Sequence, residues 1–317
     1  MNKRLLTMTA AVCLAAATMS AQKVTFTPQW TPQAQFAGYY VADKLGFYED
    51  EGLDITIRHL DPNTRMNVIS VARSGETDFF TTMTLNAMIT TDGGLKLVDV
   101  LQTSQNCALC CVADKPVASI EDLDGMRIGR WSSGFGENAL IAAAEHDIHI
   151  QWVPSLNANN VFLAGALDAA LCYSYSELIS LYLSTGIQDE STVLRFADTE
   201  YNFPEDGLFV TREYYDRNRE TVDKFVRASI KGWEYTRENP EEAIDICMEL
   251  IREENVSTNR VLQRMMLDEI LRLQTDRSTG RATFSPVSRE TFDTMLRKAQ
   301  DAGFIMGDID YNKFTAQ

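Results

Sequence analysis

Trp30 and the glycine- and serine-containing segment 132–136 are the residues whose types and positions best suit the binding of a small molecule. Trp30 follows a short predicted strand with apolar residues at Val24 and Phe26, and a predicted helix begins a few residues later. Because ligands of open parallel sheets bind outside the carboxyl ends of the strands, an indole at this position could stack on a flat ring. A buried packing tryptophan is the alternative, and the spacing leaves both interpretations open.

The segment 128–138 joins a second predicted strand to the start of a helix and contains Ser132, Ser133, Gly134 and Phe135. Glycine and serine at a helix start leave backbone amides free to face an anion, a carboxylate or the polar edge of a ring. The segment is not a nucleotide-binding P-loop, since no Gly-Lys-Ser/Thr follows, and it lacks the dinucleotide-binding spacing Gly-x-Gly-x-x-Gly. A tight turn between strand and helix, without a ligand, is the alternative.

Further polar and aromatic residues also follow predicted strands. Thr81 and Thr82 end one strand, Tyr175 and Glu177 follow another, and Asp206 lies where the chain is expected to return to its first part. An acid in the first turn of a helix is the simpler interpretation of Glu177. Strand ends that meet at one cleft would place these residues around one cavity. The predicted ligand-binding set is Trp30, Thr81, Thr82, Ser132, Ser133, Gly134, Phe135, Tyr175, Glu177 and Asp206.

The sequence contains no convincing reaction centre. Its histidines are His59, His146 and His149, and neither a Gly-x-Ser-x-Gly nor a His-Glu-x-x-His motif is present. The pattern Cys-x-x-Cys-Cys at 107–111 has no histidine nearby, so it favours buried thiols or one disulfide over a zinc site. We therefore predict no catalytic residue, no metal ligand and no cofactor.

The first 21 residues are typical of a secretory signal peptide. Lys3 and Arg4 precede an apolar run at 5–18, and small residues suitable for cleavage follow. That run is too short for a permanent membrane span, and no later segment has about 18 uninterrupted apolar residues. Cys13 would suit a lipid anchor, but Val12 departs from the small residue expected before it. We expect a periplasmic protein without a lipid anchor.

Length and charge narrow the class of protein further. A chain of 317 residues is long enough to form two lobes, each with its own core. The formal net charge is −16, and loss of Lys3 and Arg4 with the leader would make it −18 (−16 − 2). Such an acidic chain argues against a nucleic-acid partner, whose binding depends on neutralising phosphates. We expect a monomer that binds a small solute.

A repeated strand–loop–helix pattern predicts an α/β protein with two lobes. The pattern starts at residue 22, begins afresh after Lys115, and is followed from Asp206 by the return to the first lobe. Four helices with 3.6-residue periodicity are predicted at 220–236, 240–253, 258–273 and 288–302. We predict that residues 22–111 and 206–317 form lobe one and that residues 112–205 form lobe two. The first crossing then lies near Val112, and the ligand cleft lies between the lobes.

Several segments resemble the solute-binding proteins of ABC importers, in the family related to the yeast thiamine-pyrimidine synthase. Besides Trp30 they are Ala-Gly-Tyr-Tyr-Val-Ala at 37–42, Gly-Phe-Tyr at 46–48 and Glu-Gly-Leu-Asp at 51–54, and the resemblance extends to about Leu273. It implies a type II-like periplasmic-binding-protein fold, closure by hinge motion and a permease partner. It also implies a small heteroaromatic solute. A thiamine-precursor pyrimidine is the first choice, with riboflavin, a sulfonate or another small organic solute as alternatives.

The same resemblance raises an enzymatic alternative. The synthase makes its product from pyridoxal phosphate and its own histidine, and its lysine and histidine positions fall on Thr82 and Asn86 here. The resemblance therefore favours a binding protein over a pyridoxal-phosphate-dependent pyrimidine synthase. In one respect this chain departs from the family, because Ser176 stands where relatives often have the asparagine of Tyr-Asn-Glu. An extracytoplasmic sensor or adhesion module is a third class, and neighbouring permease and ATPase genes would favour import.

Overall fold

The computed structural model describes residues 21–61, 67–132, 134–155, 158–186 and 189–316. The predicted signal peptide, apart from its last residue, and the predicted alternative of a lipid anchor at Cys13 lie outside these ranges. In the described part of the chain, no helix has an apolar stretch long enough to cross a membrane.

Ten strands occur in the described residues. In chain order they are β1 (Gln22–Thr27), β2 (Leu53–Ile57), β3 (Phe79–Met83), β4 (Leu97–Gln102), β5 (Leu109–Ala113), β6 (Arg127–Arg130), β7 (Gln151–Pro154), β8 (Ala169–Tyr173), β9 (Val193–Arg195) and β10 (Asp206–Thr211). The α-helices are α1 (Ala37–Lys44), α2 (Phe47–Asp50), α3 (Val68–Ser74), α4 (Thr84–Asp92), α5 (Glu137–Glu145), α6 (Ala158–Leu163), α7 (Glu177–Thr185), α8 (Arg212–Arg217), α9 (Arg219–Glu238), α10 (Pro240–Glu253), α11 (Arg260–Leu273), α12 (Arg289–Asp301) and α13 (Tyr311–Phe314).

The strands form two mixed sheets with equivalent strand order. The first sheet has the order β2-β1-β3-β10-β4 and the second has the order β7-β6-β8-β5-β9. In each sheet the strand in the fourth position is antiparallel to its neighbours, β10 in the first and β5 in the second. In chain order, each of these antiparallel strands is the first strand after the chain passes from one sheet to the other. We call each sheet with the helices packed on it a lobe.

The chain reaches the second sheet earlier than the sequence pattern predicts. Strand β5 pairs with β8 from Leu109 onward and with β9 from Cys110 onward, so the change of sheet precedes the predicted crossing near Val112. All five residues of β5 are buried, and such a continuously apolar run suits a central strand of either sheet. The return is predicted at Asp206, which is the first residue of β10.

Asp206 and Glu205 bond the outgoing and returning segments to each other. The carbonyl oxygen of Asp206 accepts hydrogen bonds from the backbone N–H of Thr103 at 3.0 Å and from the hydroxyl of Thr103 at 2.7 Å. The carboxylate of Glu205 accepts from the backbone N–H of Leu109 at 3.2 Å and from the thiol of Cys107 at 3.1 Å. The two crossings therefore form one hydrogen-bonded unit between the lobes.

All five cysteines of the described residues are buried and free, so the alternative of a disulfide within 107–111 is not realised. Burial raises the pKa of each thiol, and it raises that of Cys110 to about 12. The described residues contain no group of three or more His, Cys, Asp or Glu side chains that could hold a metal ion.

Helices α1 and α9 pack with their backbones in direct contact. A Cβ atom on Gly38 would lie 2.2 Å from Cδ2 of Trp233, and one on Gly232 would lie 2.1 Å from the carbonyl oxygen of Gly38. Trp233 is 1% exposed, so its ring has no room to move aside. This close approach fixes α1, whose preceding segment carries residues of the ligand cleft described below.

We predict that Gly38→Ala lowers the free energy of unfolding by about 1–3 kcal/mol, because the added methyl group overpacks the contact between α1 and α9. Urea unfolding measures the change. Gly93→Ala is the matched control, since Gly93 has an ordinary φ of −69° and its nearest contact to an added Cβ is 3.4 Å. Equal stabilities of the two variants would contradict the proposed close packing.

Candidate ligand-binding cleft

A cleft lies between the two lobes at the carboxyl ends of β1, β6 and β8. It has an empty volume of about 400 Å³, part of which is open to solvent. The first lobe contributes residues that follow β1, and the second contributes residues at or after the ends of β6 and β8. The lining residues are Gln29, Trp30, Gln33, Gln35, Trp131, Phe135, Tyr173, Tyr175, Ser176 and Glu177. The position agrees with the general rule that open α/β sheets bind ligands beyond their carboxyl edges.

Aromatic rings form much of the cleft surface. On the second lobe Trp131 stacks on Tyr173 at 5.0 Å between centroids, and Tyr173 stacks on Tyr175 at 5.4 Å. Trp30 of the first lobe faces them, is 46% exposed, and meets the ring of Phe135 edge-on at 5.7 Å. An exposed indole opposite a column of stacked rings suits the binding of a flat aromatic molecule between the lobes.

His59 and Thr81 hold the segment that carries Trp30. Nδ1 of His59 lies 2.8 Å from the carbonyl oxygen of Trp30, and Nε2 lies 3.1 Å from the hydroxyl of Tyr40. Burial lowers the pKa of His59 to about 4, against the opposing effect of the bond to Trp30, so the ring is neutral at physiological pH. Because a carbonyl only accepts, Nδ1 must donate and Nε2 accepts from Tyr40. Thr81 Oγ1 accepts from the backbone N–H of Gln29 at 2.9 Å.

Asp206 lies beneath the cleft and is bonded to two of the lining glutamines. Its carboxylate accepts from Nε2 of Gln35 at 2.9 and 2.8 Å and from Nε2 of Gln29 at 2.5 Å. Burial raises the pKa of Asp206 to about 6, while the bonds from Gln35 and Gln29 act in the opposite direction. Gln33 lies at the outer end of this group and donates Nε2 to Oε1 of Gln35 at 2.5 Å.

Two further carboxylates have hydrogen-bond partners within their own loops. Glu177 accepts from the hydroxyl of Ser176 at 2.5 Å and from the backbone N–H of Tyr173 at 3.1 Å, and burial raises its pKa. Glu137, in the first turn of α5, accepts from the backbone N–H of Gly134 at 2.8 Å, and burial raises its pKa as well. The N–H of Gly134, which the sequence predicts to be free for a ligand, is therefore bonded to a carboxylate of the chain itself.

The structure brings together part of the predicted site. Trp30, Phe135, Tyr175 and Glu177 line the cleft, and Asp206 lies directly behind two lining glutamines. Ser133 lies outside the described residues.

Four predicted residues are not among the described residues that line this cleft: Thr81, Thr82, Ser132 and Gly134. Thr81 and Thr82 are buried in the middle strand of the first sheet, where Thr81 bonds Gln29 and Thr82 accepts from Asn86 at 3.1 Å. The side chain of Ser132 is exposed to solvent.

Six lining residues are absent from the predicted set: Gln29, Gln33, Gln35, Trp131, Tyr173 and Ser176. Three of them are glutamines spaced within seven positions directly after β1, and this clustering of amides beside Trp30 is the sequence signal that points to them. Trp131 carries the same strand-end signal as Trp30, since it directly follows β6.

Comparison with solved structures identifies the fold. The periplasmic aliphatic sulphonate binding protein SsuA of Escherichia coli superposes with a TM-score of 0.68 over 93% of this chain and 92% of that chain, at 16% sequence identity. At that identity the likeness concerns the fold alone, and it confirms the predicted α/β periplasmic-binding-protein fold. Like that fold, this chain has two lobes with a cleft between them.

The sequence comparisons identify the family. Residues 33–243 match the family described as NMT1/THI5 like, and the chain belongs to that family. The riboflavin-binding protein RibY of Chloroflexus aurantiacus is 32% identical over 263 residues, covering 79% of this chain and 72% of that protein. The formylaminopyrimidine-binding protein of Halalkalibacterium halodurans is 24% identical and covers 69% and 68% of the two chains. A 4-amino-5-hydroxymethyl-2-methylpyrimidine phosphate synthase of Candida albicans is 22% identical and covers 71% and 70%.

We predict that the melting temperature falls as the pH rises from 6.5 to 8.5, above the range in which the lowered pKa of His59 adds stability with rising pH. Burial raises the pKa values of Asp206, Asp99 and Glu205 to about 6, 7 and 8, from ordinary values of 3.8 for Asp and 4.5 for Glu. The stability that these acids contribute is fully present below the ordinary values and is lost as the pH rises through the raised ones.

Calorimetry at a series of pH values measures this effect, which we expect to exceed about 2 °C. Glu205→Gln is the control, because an amide oxygen can still accept from Leu109 and Cys107 but does not ionise. The variant should lose part of the decrease between pH 7 and 8.5. A melting temperature that rises over this range would contradict the prediction.

Proposed function

We propose that this protein is the extracytoplasmic solute-binding component of an ABC importer and that its ligand is a flat, uncharged heteroaromatic solute. The observation that carries the proposal is the cleft between the lobes, in which Trp30 faces the stacked rings of Trp131, Tyr173 and Tyr175. The protein would act as a monomer in the periplasm and deliver its solute to a permease. Closure of the lobes around the ring would give the form that the permease distinguishes.

The charges around the cleft support an uncharged solute over a sulfonate. None of the described lining residues is Lys, Arg or His, whereas Glu177 is one of them. Glu137 accepts the N–H of Gly134, the kind of amide that would otherwise face an anion. A sulfonate would enter this cleft without a cationic partner and close to carboxylates, which is electrostatically unfavourable.

An adjoining cavity favours a flavin over a single pyrimidine ring. It lies beside α6 and α7 and has an empty volume of about 840 Å³, part of which is open to solvent. Trp131, Ser176 and Glu177 border both this cavity and the cleft. The side-chain oxygen of Asn159 is buried there without a hydrogen-bond partner among the described residues. The other hydroxyl and amide side chains that line this cavity suit a polyhydroxylated chain of a ligand: Asn160, Ser180 and Ser184.

Riboflavin combines a flat ring with such a chain, and the relative at 32% identity is named a riboflavin-binding protein. We therefore place riboflavin first and a thiamine-precursor pyrimidine second. The pyrimidine remains the alternative because the relative at 24% identity is named a formylaminopyrimidine-binding protein.

A binding role is also better supported than a synthase role. Thr82 and Asn86, the positions that correspond to the lysine and histidine of the synthase, are hydrogen-bonded to each other at 3.1 Å. Neither side chain can form a Schiff base with pyridoxal phosphate or donate an imidazole ring.

We predict that riboflavin raises the melting temperature of the protein, because a ligand that binds only the folded state stabilises it by about 2.7 kcal/mol at a concentration of 100 Kd. Thermal-shift measurements should include 4-amino-5-hydroxymethyl-2-methylpyrimidine, ethanesulfonate and flavin mononucleotide. Flavin mononucleotide is the matched control, since it adds only a phosphate to riboflavin and should bind more weakly. Stabilisation by the sulfonate and by none of the three aromatic compounds would overturn the proposed function.

We predict that Trp30→Ala weakens binding of riboflavin by about tenfold or more, because about 1.4 kcal/mol corresponds to one decade and the variant loses both stacking and buried area. Quenching of flavin fluorescence gives the dissociation constant, and circular dichroism checks the fold. Trp152→Ala is the matched control, since Trp152 lies on β7 outside the cleft, beside the guanidinium group of Arg130. Unchanged affinity in folded Trp30→Ala would refute the stacking role.

A further inference from the structure

We propose that Asp206 is a positioning residue that sets the ligand specificity of the cleft. It does so by holding the side-chain amides of Gln29, Gln33 and Gln35 in the orientation that turns amide oxygens toward the ligand. The inference rests on the proposed function, because it assigns the hydrogen-bonding chemistry of one wall of the same cleft.

The orientation of the three amides follows from the chemistry of one carboxylate. An ionised carboxylate accepts hydrogen bonds and donates none, so the groups that face Asp206 from Gln29 and Gln35 must be NH₂ groups. Once the NH₂ group of Gln35 faces Asp206, its oxygen faces the other way and meets Gln33 at 2.5 Å. Gln33 must therefore donate its own NH₂ group at that contact.

This chain of bonds leaves acceptor atoms available on the cleft side. Gln29 and Gln33 both line the cleft, and the described residues supply no hydrogen-bond donor to the Oε1 atom of either. Glu177 adds a carboxylate to the same lining. The glutamine wall of the cleft thus offers acceptors to the edge of a ring.

A wall of acceptors selects a ring edge that carries N–H groups. The imide N–H of a flavin and the amino group of an aminopyrimidine both meet this requirement. A ring whose corresponding nitrogen is methylated would leave an amide oxygen without a partner in a closed cleft, and such an unsatisfied group is costly. The proposed ligand class is therefore a flat heteroaromatic ring with an N–H donor on its edge.

The test compares riboflavin with 3-methylriboflavin, in which a methyl group replaces the hydrogen of the imide N–H. We expect the wild-type protein to bind 3-methylriboflavin about tenfold or more weakly. In Asp206→Asn the neutral side chain can both donate and accept, so the amides can turn over and the difference between the two ligands should shrink. A residue with a merely structural role would weaken both ligands equally and would leave their ratio unchanged.

A second variant keeps the test decisive if Asp206→Asn does not fold. Gln33→Met removes one amide oxygen from a half-buried position of the cleft wall, while Asp206 keeps its bonds to Gln29 and Gln35. This variant should also reduce the ratio of the two dissociation constants.

Equal binding of both flavins by the wild-type protein would overturn the inference and leave the proposed function standing. If neither flavin binds, the same comparison is made with 4-amino-5-hydroxymethyl-2-methylpyrimidine and its 4-dimethylamino analogue. Binding of no compound in either pair would overturn both proposals.

Discussion

Asp206 contacts both the crossing that connects the two lobes and the wall of the cleft, and its carboxyl group is buried. Its backbone oxygen bonds Thr103 of the outgoing crossing, and its side chain holds Gln29 and Gln35. Removing a carboxylate from water is unfavourable, which raises its pKa to about 6, and the amide N–H groups offset part of that cost. One residue therefore connects the crossing between the lobes to the glutamines of the cleft wall.

The two lobes contribute differently to the cleft. The second lobe supplies a stacked column of rings that is already packed together, including Trp131 and Tyr173. The first lobe supplies one exposed indole, Trp30, whose backbone is held by His59 and whose neighbour Gln29 is held by Thr81. Both surfaces are thus ordered by contacts within their own lobe. A preorganised cleft of this kind loses less conformational entropy when a ligand binds.

The periodic elements of this protein are predictable from sequence, whereas hydrogen-bond partners and sheet membership are not. The helices predicted at 220–236 and 240–253 correspond to α9 and α10, because a 3.6-residue period is a local property. The apolar run at 109–113 predicts a buried strand but fits either sheet. The sequence predicts a strand end and a ligand contact at Thr81, yet this residue lies in the middle of β3 and its hydroxyl bonds a backbone amide 52 residues away. Gly134 differs from the expectation for a local reason, since the carboxylate of Glu137, three residues later, accepts its N–H.

The free cysteines give folding a chemical consequence. Cys110 and Cys172 lie opposite each other on β5 and β8, and neither forms a disulfide. In an oxidising compartment such as the periplasm proposed for this protein, thiols are exposed to disulfide-forming reagents, which react with the thiolate. The core excludes these reagents, and burial keeps the thiols protonated. The folded state therefore protects its cysteines from disulfide formation. That protection disappears when the chain unfolds, and covalent mispairing then competes with refolding.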